Sequence, residues 1–401
     1  LIFEKYIITE QVVHKIRTYN QISIKGLERL PRDGYEVASE ITNPDAIMLR
    51  SHKLVVDDIA VSVRAIGRAG AGVNNIPLEA CTKRGIPVFN APGANANAVK
   101  ELVLCAMLLG SRGILEGLDY ARALDAGSDA GAMNKLLEKE KKRFKGNELA
   151  GRTLGVVGLG AIGSLVAKTA LMMGMKVLGY DPALSVDAAW RLPSEVKKMD
   201  HLAALFAKSD FISLHLPVLD STRGLINASA LRDFKKDAVL LNFSRAEIVD
   251  TPSVVDALAV GTIRQYFCDF PHPLTVSVKG VVAMPHIGAS TDEAEDNCAI
   301  MIAEQLKDFL QNGNITNSVN FPALSLERSG SARLAITNFN VPKMLGSITN
   351  ILADADLNVV DMTNKSRDDI AYNLIDLDRV PSRDAIAALT EIEGVINVRV
   401  I

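Results

Sequence analysis

The sequence predicts an α/β protein: doubly wound parallel sheets, followed by a small unit of mixed type. Three observations carry that prediction. Short apolar runs alternate with longer amphipathic stretches over most of the 401 residues. A glycine-rich strand-to-helix turn lies inside the alternating region, at 154–163. After residue 331 the order of elements changes to β-α-β-β-α-β.

The apolar runs are AIMLR (46–50), GIPVFN (85–90), TLGVVG (153–158), MKVLGYD (175–181), FISLHLP (211–217) and AVLLNFS (238–244). Runs this short and this continuous suit strands covered on both faces of a parallel sheet. The stretches between them have helical length and spacing, so the class is α/β. LIFEKYIITEQ at the start reads as a short strand and not as a secretory signal.

Two segments look like hinges. APGANANAV (91–99) opens a long helical stretch from Val99 to about Ala123, and MPHIGAST (284–291) precedes another helix. A chain leaving one domain at the first hinge and returning at the second gives a discontinuous domain of residues 1–94 and 285–324. Residues 95–284 then form an inserted domain. A third boundary falls in NFPALSLERSGS (320–331), which is polar and broken by Pro and Gly. Beyond it, residues 331–401 read as a ferredoxin-like unit.

Composition narrows the function classes. With 48% hydrophobic and 23% charged residues the chain is a soluble globular type. A net charge of −3 gives no polybasic surface for nucleic acid or a membrane. No apolar run approaches the ~18 residues that span a bilayer. Cys81, Cys105, Cys268 and Cys298 form no CxxC pair, which argues for a reduced, cytoplasmic setting without disulfides or a metal site. Cys105 and Cys298 fall beside apolar residues in helical patterns and read as inert packing.

The strongest local signal is LGVVGLGAIG at 154–163. Gly158 permits a tight turn, Gly160 lets backbone approach a pyrophosphate, and Gly163 lets helix and strand pack closely. Ala161 and Ile162 open the helix, whose free N–H groups and dipole favour phosphate. The next strand ends on Asp181, 23 positions after Gly158. A carboxylate there accepts both ribose hydroxyls and repels a 2′-phosphate, so the cofactor expected is NAD.

Two polar groups follow later strands. Asn242-Phe243-Ser244-Arg245 comes after AVLL, and His286 after VVAMP. Reducing a 2-oxo acid needs a cation to bind the carboxylate and polarise the carbonyl, plus a proton donor for the oxygen. Arg offers two parallel hydrogen bonds to a carboxylate, and His titrates near working pH. Taken singly, an Arg after a strand is usually a surface charge and a His is more often structural.

Together, LGVVGLGAIG, HLPV, NFSRAEIVD and PHIGAST resemble the successive motifs of the D-2-hydroxyacid dehydrogenase family. IMLRS, GRAGAGVNNI and a C-terminal unit resembling an ACT domain extend the likeness, over nearly the full length, to the branch oxidising 3-phosphoglycerate. The resemblance implies two doubly wound Rossmann/flavodoxin-like domains with a C-terminal ferredoxin-like (βαββαβ) ACT domain. It implies NAD, a phosphorylated 2-hydroxy acid as substrate, and a homodimer or homotetramer. It gives Arg245 the carboxylate, His286 the acid/base role, and Asp269 the nicotinamide carboxamide. His215 and Thr222 line the nucleotide cleft, and Arg50, Ser51 and Arg68 anchor the substrate. Lys53 is a further phosphate contact inferred from its place two residues past Ser51. The run Lys141-Lys142-Arg143, interleaved with Glu138 and Glu140, reads as a solvated helix face, the alternative being a contact to the substrate phosphate of a neighbouring subunit.

One departure stands out. The family places a Glu five residues past the Asp, where it orients the His; here position 274 is Leu, in CDFPHPL. The imidazolium thereby loses a partner that favours its charged form. The expectation is that His286 acts without a carboxylate, as in a variant subgroup carrying DFP. The alternatives are His272 as substitute, or an acid from elsewhere such as Asp292 or Glu293.

In the C-terminal unit, Asn338 and Asn340 fall in the first strand-to-helix loop, and Asn358 follows the helix. In relatives such loops bind L-serine as effector, and Asn can serve both the ammonium and the carboxylate of an amino acid. Lys343 replaces a usual Gly and Asn338 a usual His, so a unit used only for assembly is the alternative. The helix from Val99 carries Leu102, Val103, Ala106, Leu109 and Gly110 as a face for a two-fold partner or for the domain's own core.

Overall fold

In a computed structural model, describing residues 13–124 and 129–401, the apolar runs become strands of three sheets. The strand expected in LIFEKYIITEQ lies outside the described residues. The chain divides into two compact units: the part up to Asn95 together with Asp292–Ile401, and Ala96–Thr291 between them.

The first unit begins with five parallel strands: β1 (His14–Tyr19), β2 (Tyr35–Ala38), β3 (Ala46–Leu49), β4 (Ala65–Arg68) and β5 (Val88–Phe89). Their order, β2-β1-β3-β4-β5, is the flavodoxin-like arrangement. Every residue of β3 is buried, as its unbroken apolar run requires. Helix Asp292–Asn312 covers one face, and a side chain at Gly67 would run into Ile302 of that helix. The bare backbone of β4 is therefore what lets the helix sit so close.

The second unit carries seven parallel strands: β6 (Thr153–Val157), β7 (Lys176–Tyr180), β8 (Lys197–Lys198), β9 (Phe211–Leu214), β10 (Ala238–Asn242), β11 (Ile263–Cys268) and β12 (Val281–Ala283). The order is β12-β11-β10-β9-β6-β7-β8. The chain reverses direction of travel between β6 and β9, which makes the carboxyl ends of those strands the natural ligand crevice of such a sheet.

Two expectations need correction here, and one open alternative is decided. The stretch from Val99 to Ala123 is two helices, Ala96–Ser111 and Ile114–Arg122. The break falls at Gly113, whose N–H turns to the Phe144 carbonyl at 3.3 Å instead of continuing the helix. The stripe offered to a two-fold partner is largely internal: Val103 and Ala106 are buried in this unit's core, with Leu102 and Leu109 packed against it. Cys105 points the other way and is exposed, while Cys298 is buried.

The remaining strands, β13 (Ala332–Phe339), β14 (Val359–Arg367), β15 (Ile370–Leu377) and β16 (Val395–Val400), form an antiparallel sheet in the order β14-β15-β13-β16. With helices Met344–Asp354 and Arg383–Glu391 this is the ferredoxin-like β-α-β-β-α-β unit. It belongs to the first compact unit. One face packs Leu334, Ile336 and Ile375 on Ile348, Leu352 and Leu389 of its helices. The other face sends Ala335, Ile370, Tyr372 and Leu374 into the core that holds Phe89, Phe309 and Phe321. Both faces of β13 and β15 are thus dry, and β15 is buried from end to end.

That dryness surrounds a charged pair. Arg333 and Asp376 are 0% exposed and meet through two hydrogen bonds, Nε to Oδ1 at 2.6 Å and Nη2 to Oδ2 at 2.9 Å. Nη1 donates to the carbonyls of Asn312 and Leu326, and Ser329 donates its N–H to Asp376. Charge and polar valence are met together, as burial of ions demands.

Candidate active site

β6 ends at Val157 and turns at Gly158, whose φ of +91° suits glycine. Gly160 precedes helix Ala161–Met172. A side chain at Gly163 would strike the Gly158 carbonyl, whereas a Cβ at Gly160 would meet open space. One glycine is therefore required for packing, and the other leaves backbone open to a ligand. The N–H groups of Ala161, Ile162 and Gly163, in the first turn, have no acceptor within the helix. Asp181 follows β7 and braces this turn, accepting from Leu159 N at 2.8 Å and Ala183 N at 3.0 Å.

His215 follows β9 beside the same turn, its N–H donating to Val157 O at 2.8 Å. Burial drives its pKa down to about 3, so the ring is neutral, with Nε2 2.8 Å from Ser213 Oγ. Its Nδ1 is buried with no protein partner among the described residues. Open backbone, free helix N–H groups, a ribose-type carboxylate and an orphaned ring nitrogen together fit a dinucleotide. Thr222 is spent locally: its Oγ donates to Pro217 O and accepts from Leu219 N.

The carboxyl end of β10 builds a tight presentation turn. Asn242, fully buried, donates Nδ2 to Arg245 O at 2.9 Å and accepts from Ser244 N at 3.2 Å. Ser244 Oγ donates to Leu214 O and accepts from Leu216 N. Arg245, held on top, is exposed and commits Nη1 to Ser244 O at 2.7 Å. Among the described residues Arg245 forms no ion pair with a carboxylate, so its other donors can take a bidentate ligand. Asn242 and Ser244 were visible only as a segment; their work as turn builders depends on β9, which local reading does not supply.

Asp269 follows β11, is 2% exposed, and accepts from Ile287 N at 2.8 Å and Gly288 N at 2.7 Å. These two bonds clamp the turn bearing His286, whose φ is +57°. The His286 ring meets Phe270 edge to face, with centroids 5.1 Å apart. Leu274, at the position of the usual Glu, is 52% exposed. His272 is not turned toward this role, since its Nδ1 accepts from Leu274 N at 3.1 Å within its own loop. Arg245 and His286 thus stand past β10 and β12, two strands apart, or ~10 Å at ordinary strand spacing. Such an edge can bind a carboxylate and move a proton at the neighbouring carbon.

In the other unit, Arg50, Ser51 and Lys53 follow β3, and Arg68 ends β4. Arg68 Nε donates to Arg50 O at 3.0 Å. The Arg50 side chain pairs with Glu295 at 2.6 Å, and Lys53 is exposed. Asn20, at φ +65°, accepts from Ser51 N and His52 N, while Asn75 donates to the carbonyls of Arg50 and His52. Asn20 and Asn75 fix this loop and were not read from the sequence. The run Lys141-Lys142-Arg143 lies in a short 3-10 turn with Lys141 on Glu138 and Arg143 on Glu140.

The candidate effector residues do not converge within the chain. Asn338 is not in a loop; it lies in β13, 2% exposed, bonded to Asn373 and to Phe339 O. Asn340 and Asn358 flank opposite ends of helix Met344–Asp354, which is about 16 Å long. Lys343 holds φ +73°, the conformation for which glycine is suited.

Comparison with known proteins now adds to the geometry. Residues 114–288 match the family described as D-isomer specific 2-hydroxyacid dehydrogenase, NAD binding domain. The D-3-phosphoglycerate dehydrogenase of Haemophilus influenzae is 32% identical over 385 residues, covering 92% of this chain and 89% of that one. The chain belongs to the D-3-phosphoglycerate dehydrogenase family. The family's member from Methanocaldococcus jannaschii is 35% identical over 337 residues, 82% of this chain. The match spans only 61% of that longer relative. The NAD+-bound 3-phosphoglycerate dehydrogenase of Entamoeba histolytica superposes with a TM-score of 0.61 at 27% identity, covering 78% of this chain and all of that one.

Proposed function

We propose that the protein oxidises 3-phosphoglycerate to 3-phosphohydroxypyruvate with NAD, the entry step to serine. The observation that carries this reading is the shared strand edge. Arg245, Asp269 and His286 stand at carboxyl ends of the same parallel sheet as the Gly158–Gly163 turn and Asp181. Family membership supplies the substrate class.

NAD, when bound, accepts the hydride from C2. Gly160, the first-turn N–H groups and Asp181 hold it, with the Asp181 carboxylate selecting against a 2′-phosphate. Arg245 binds the substrate carboxylate through paired hydrogen bonds and thereby fixes C2. His286 accepts the proton of the C2 hydroxyl, and returns it in the reverse direction. Asp269 keeps His286 in place through the N–H groups of Ile287 and Gly288. Phe270 borders the imidazole, which among the described residues forms no ion pair with a carboxylate, and this supports a base acting without the usual Glu. Arg50, Ser51, Lys53 and Arg68 are the proposed substrate anchors of the other unit.

A cytoplasmic setting and assembly into at least a homodimer complete the reading. Among the described residues no helix is long and apolar enough to cross a membrane. Initial rates with NADH on 3-phosphohydroxypyruvate, hydroxypyruvate, pyruvate and glyoxylate test the proposal. It requires a clear preference for the phosphorylated acid. Equal rates on the others point to a broader 2-hydroxy acid dehydrogenase, and NADH binding without turnover to a non-catalytic sensor.

A further inference from the structure

Where the C-terminal sheet meets the N-terminal sheet, within one compact unit, the seam encloses a cavity of about 780 Å³. That volume is in the range of small-molecule sites. The walls are Ile59 with residues 61–64 and 84–86 on one side and residues 396–400 of β16 on the other, with Phe309, Thr337 and Tyr372 completing the lining. Its charged lining consists of Arg64, Arg84 and Arg399, with no acid and no lysine among the lining residues.

The three cations are differently engaged. Arg84 gives Nη1 and Nη2 to the carbonyls of Ile59 and Ala60, each at 2.8 Å. Arg64 faces Asp45 at 3.6 Å. Arg399 lies over the Phe309 ring, 4.5 Å from its centroid, and Nη2 donates to the carbonyls of Phe309 and Leu310. Its Nη1 is buried and has no protein partner among the described residues. Burial also pulls the Arg399 pKa down. Among the described residues only Arg64 of the three forms an ion pair, with Asp45, and Arg84 and Arg399 border the partly apolar space without one. Ile59, Val63, Ile86 and Val398 supply apolar wall. A buried donor without an acceptor is costly, and an anion supplies the acceptor.

We propose that this seam binds a small dianion, a carboxylate or phosphate ester with a short apolar body. Such a ligand ties β16 to the segment just before β4. Arg64 precedes that strand and Arg68 ends it, ~13 Å further along at strand rise. Occupancy then clamps the C-terminal sheet to the strand that carries Arg68. The site is separate from the dehydrogenase chemistry, and its test reads binding.

The experiment is calorimetric titration of the full chain, at constant ionic strength, with inorganic phosphate and with succinate. These probes separate a phosphate from a dicarboxylate preference. Wild type, Arg399→Met, Ser62→Glu and Arg68→Met are compared. Ser62 lines the cavity, and a carboxylate there repels an anion without touching the Arg399 contacts. Saturable binding of at least one probe that survives Arg68→Met is expected. Arg399→Met and Ser62→Glu should each weaken it about tenfold or more, the scale of one charge-assisted hydrogen bond. If Arg399→Met fails to fold, judged by circular dichroism, Ser62→Glu decides alone. Absence of saturable binding by either probe overturns the proposal, as does binding abolished by Arg68→Met and untouched by Ser62→Glu.

Discussion

Replacing Asp376 by Asn tests whether the C-terminal sheet depends on its internal ion pair. The carboxylate is 0% exposed and takes two bonds from Arg333 and one from Ser329 N at 2.8 Å. An amide keeps one acceptor oxygen but removes the charge, so the buried guanidinium is left uncompensated. Breaking such a pair costs about 3–5 kcal/mol. Changing both partners to Leu and Met removes the stranded charge but leaves the carbonyls of Asn312 and Leu326 and the Ser329 N–H without partners. The double variant should therefore recover only part of the loss. Burial alone would raise the Asp376 pKa, but the Arg333 and Ser329 hydrogen bonds and the Arg333 charge outweigh it and hold it at about 2, against 3.8 ordinarily. A depressed carboxylate stabilises above its unfolded pKa and loses that contribution as pH falls. The gap between wild type and variant should narrow by about 2 kcal/mol between pH 4 and 2. Native-state hydrogen exchange at amides of β13 and β15 reads the local opening free energy directly. A gap below about 1 kcal/mol at pH 7, the scale of an exposed pair, would refute the reasoning.

Other consequences are equally direct. Asp181→Ala should weaken NAD binding about tenfold and narrow its advantage over NADP, measured by titration calorimetry; an unchanged ratio contradicts the ribose role. His215, whose pKa is lowered to about 3 from 6.5 by burial, is neutral when folded and protonated when unfolded below pH 6.5. Its contribution is complete above pH 6.5 and lost as pH falls toward 3, so His215→Gln should lose Tm less steeply across that window in calorimetric scans. Lys343→Gly removes a side chain from left-handed backbone at φ +73° and should stabilise by about 1 kcal/mol in urea unfolding followed by exchange of helix Met344–Asp354; destabilisation would show a contact that repays the strain.

The fold was largely legible because parallel sheets announce themselves. AVLLN and FISL are mainly apolar strands, and both are wholly buried. The turn at Gly158 was legible because its glycines answer to local geometry, a positive φ and a helix packed on a carbonyl. What stayed hidden depends on distance along the chain. Arg333 and Asp376, 43 residues apart, look like solvent-facing positions of two alternating strands. Only a sheet covered on both faces makes them a buried pair. Asn20 holds a loop 31 residues away, and nothing near Asn20 announces it. Gly113 was the missed local clue, since a helix stretching to Ala123 has to pass it. Asn338 was misplaced because β13 continues through it to Phe339, paired on both sides, before the loop begins.

The most direct test of the central claim follows the hydrogen itself. Full-length protein is incubated with NAD and 3-phosphoglycerate deuterated at C2, and the NADH formed is weighed by mass spectrometry, in wild type, Arg245→Lys and His286→Ala. The account predicts NADH heavier by one mass unit from wild type. The rate should fall about a hundredfold or more in His286→Ala, with Arg245→Lys impaired through lost paired hydrogen bonds. Unlabelled NADH, or label transferred at the wild-type rate by His286→Ala, would contradict it.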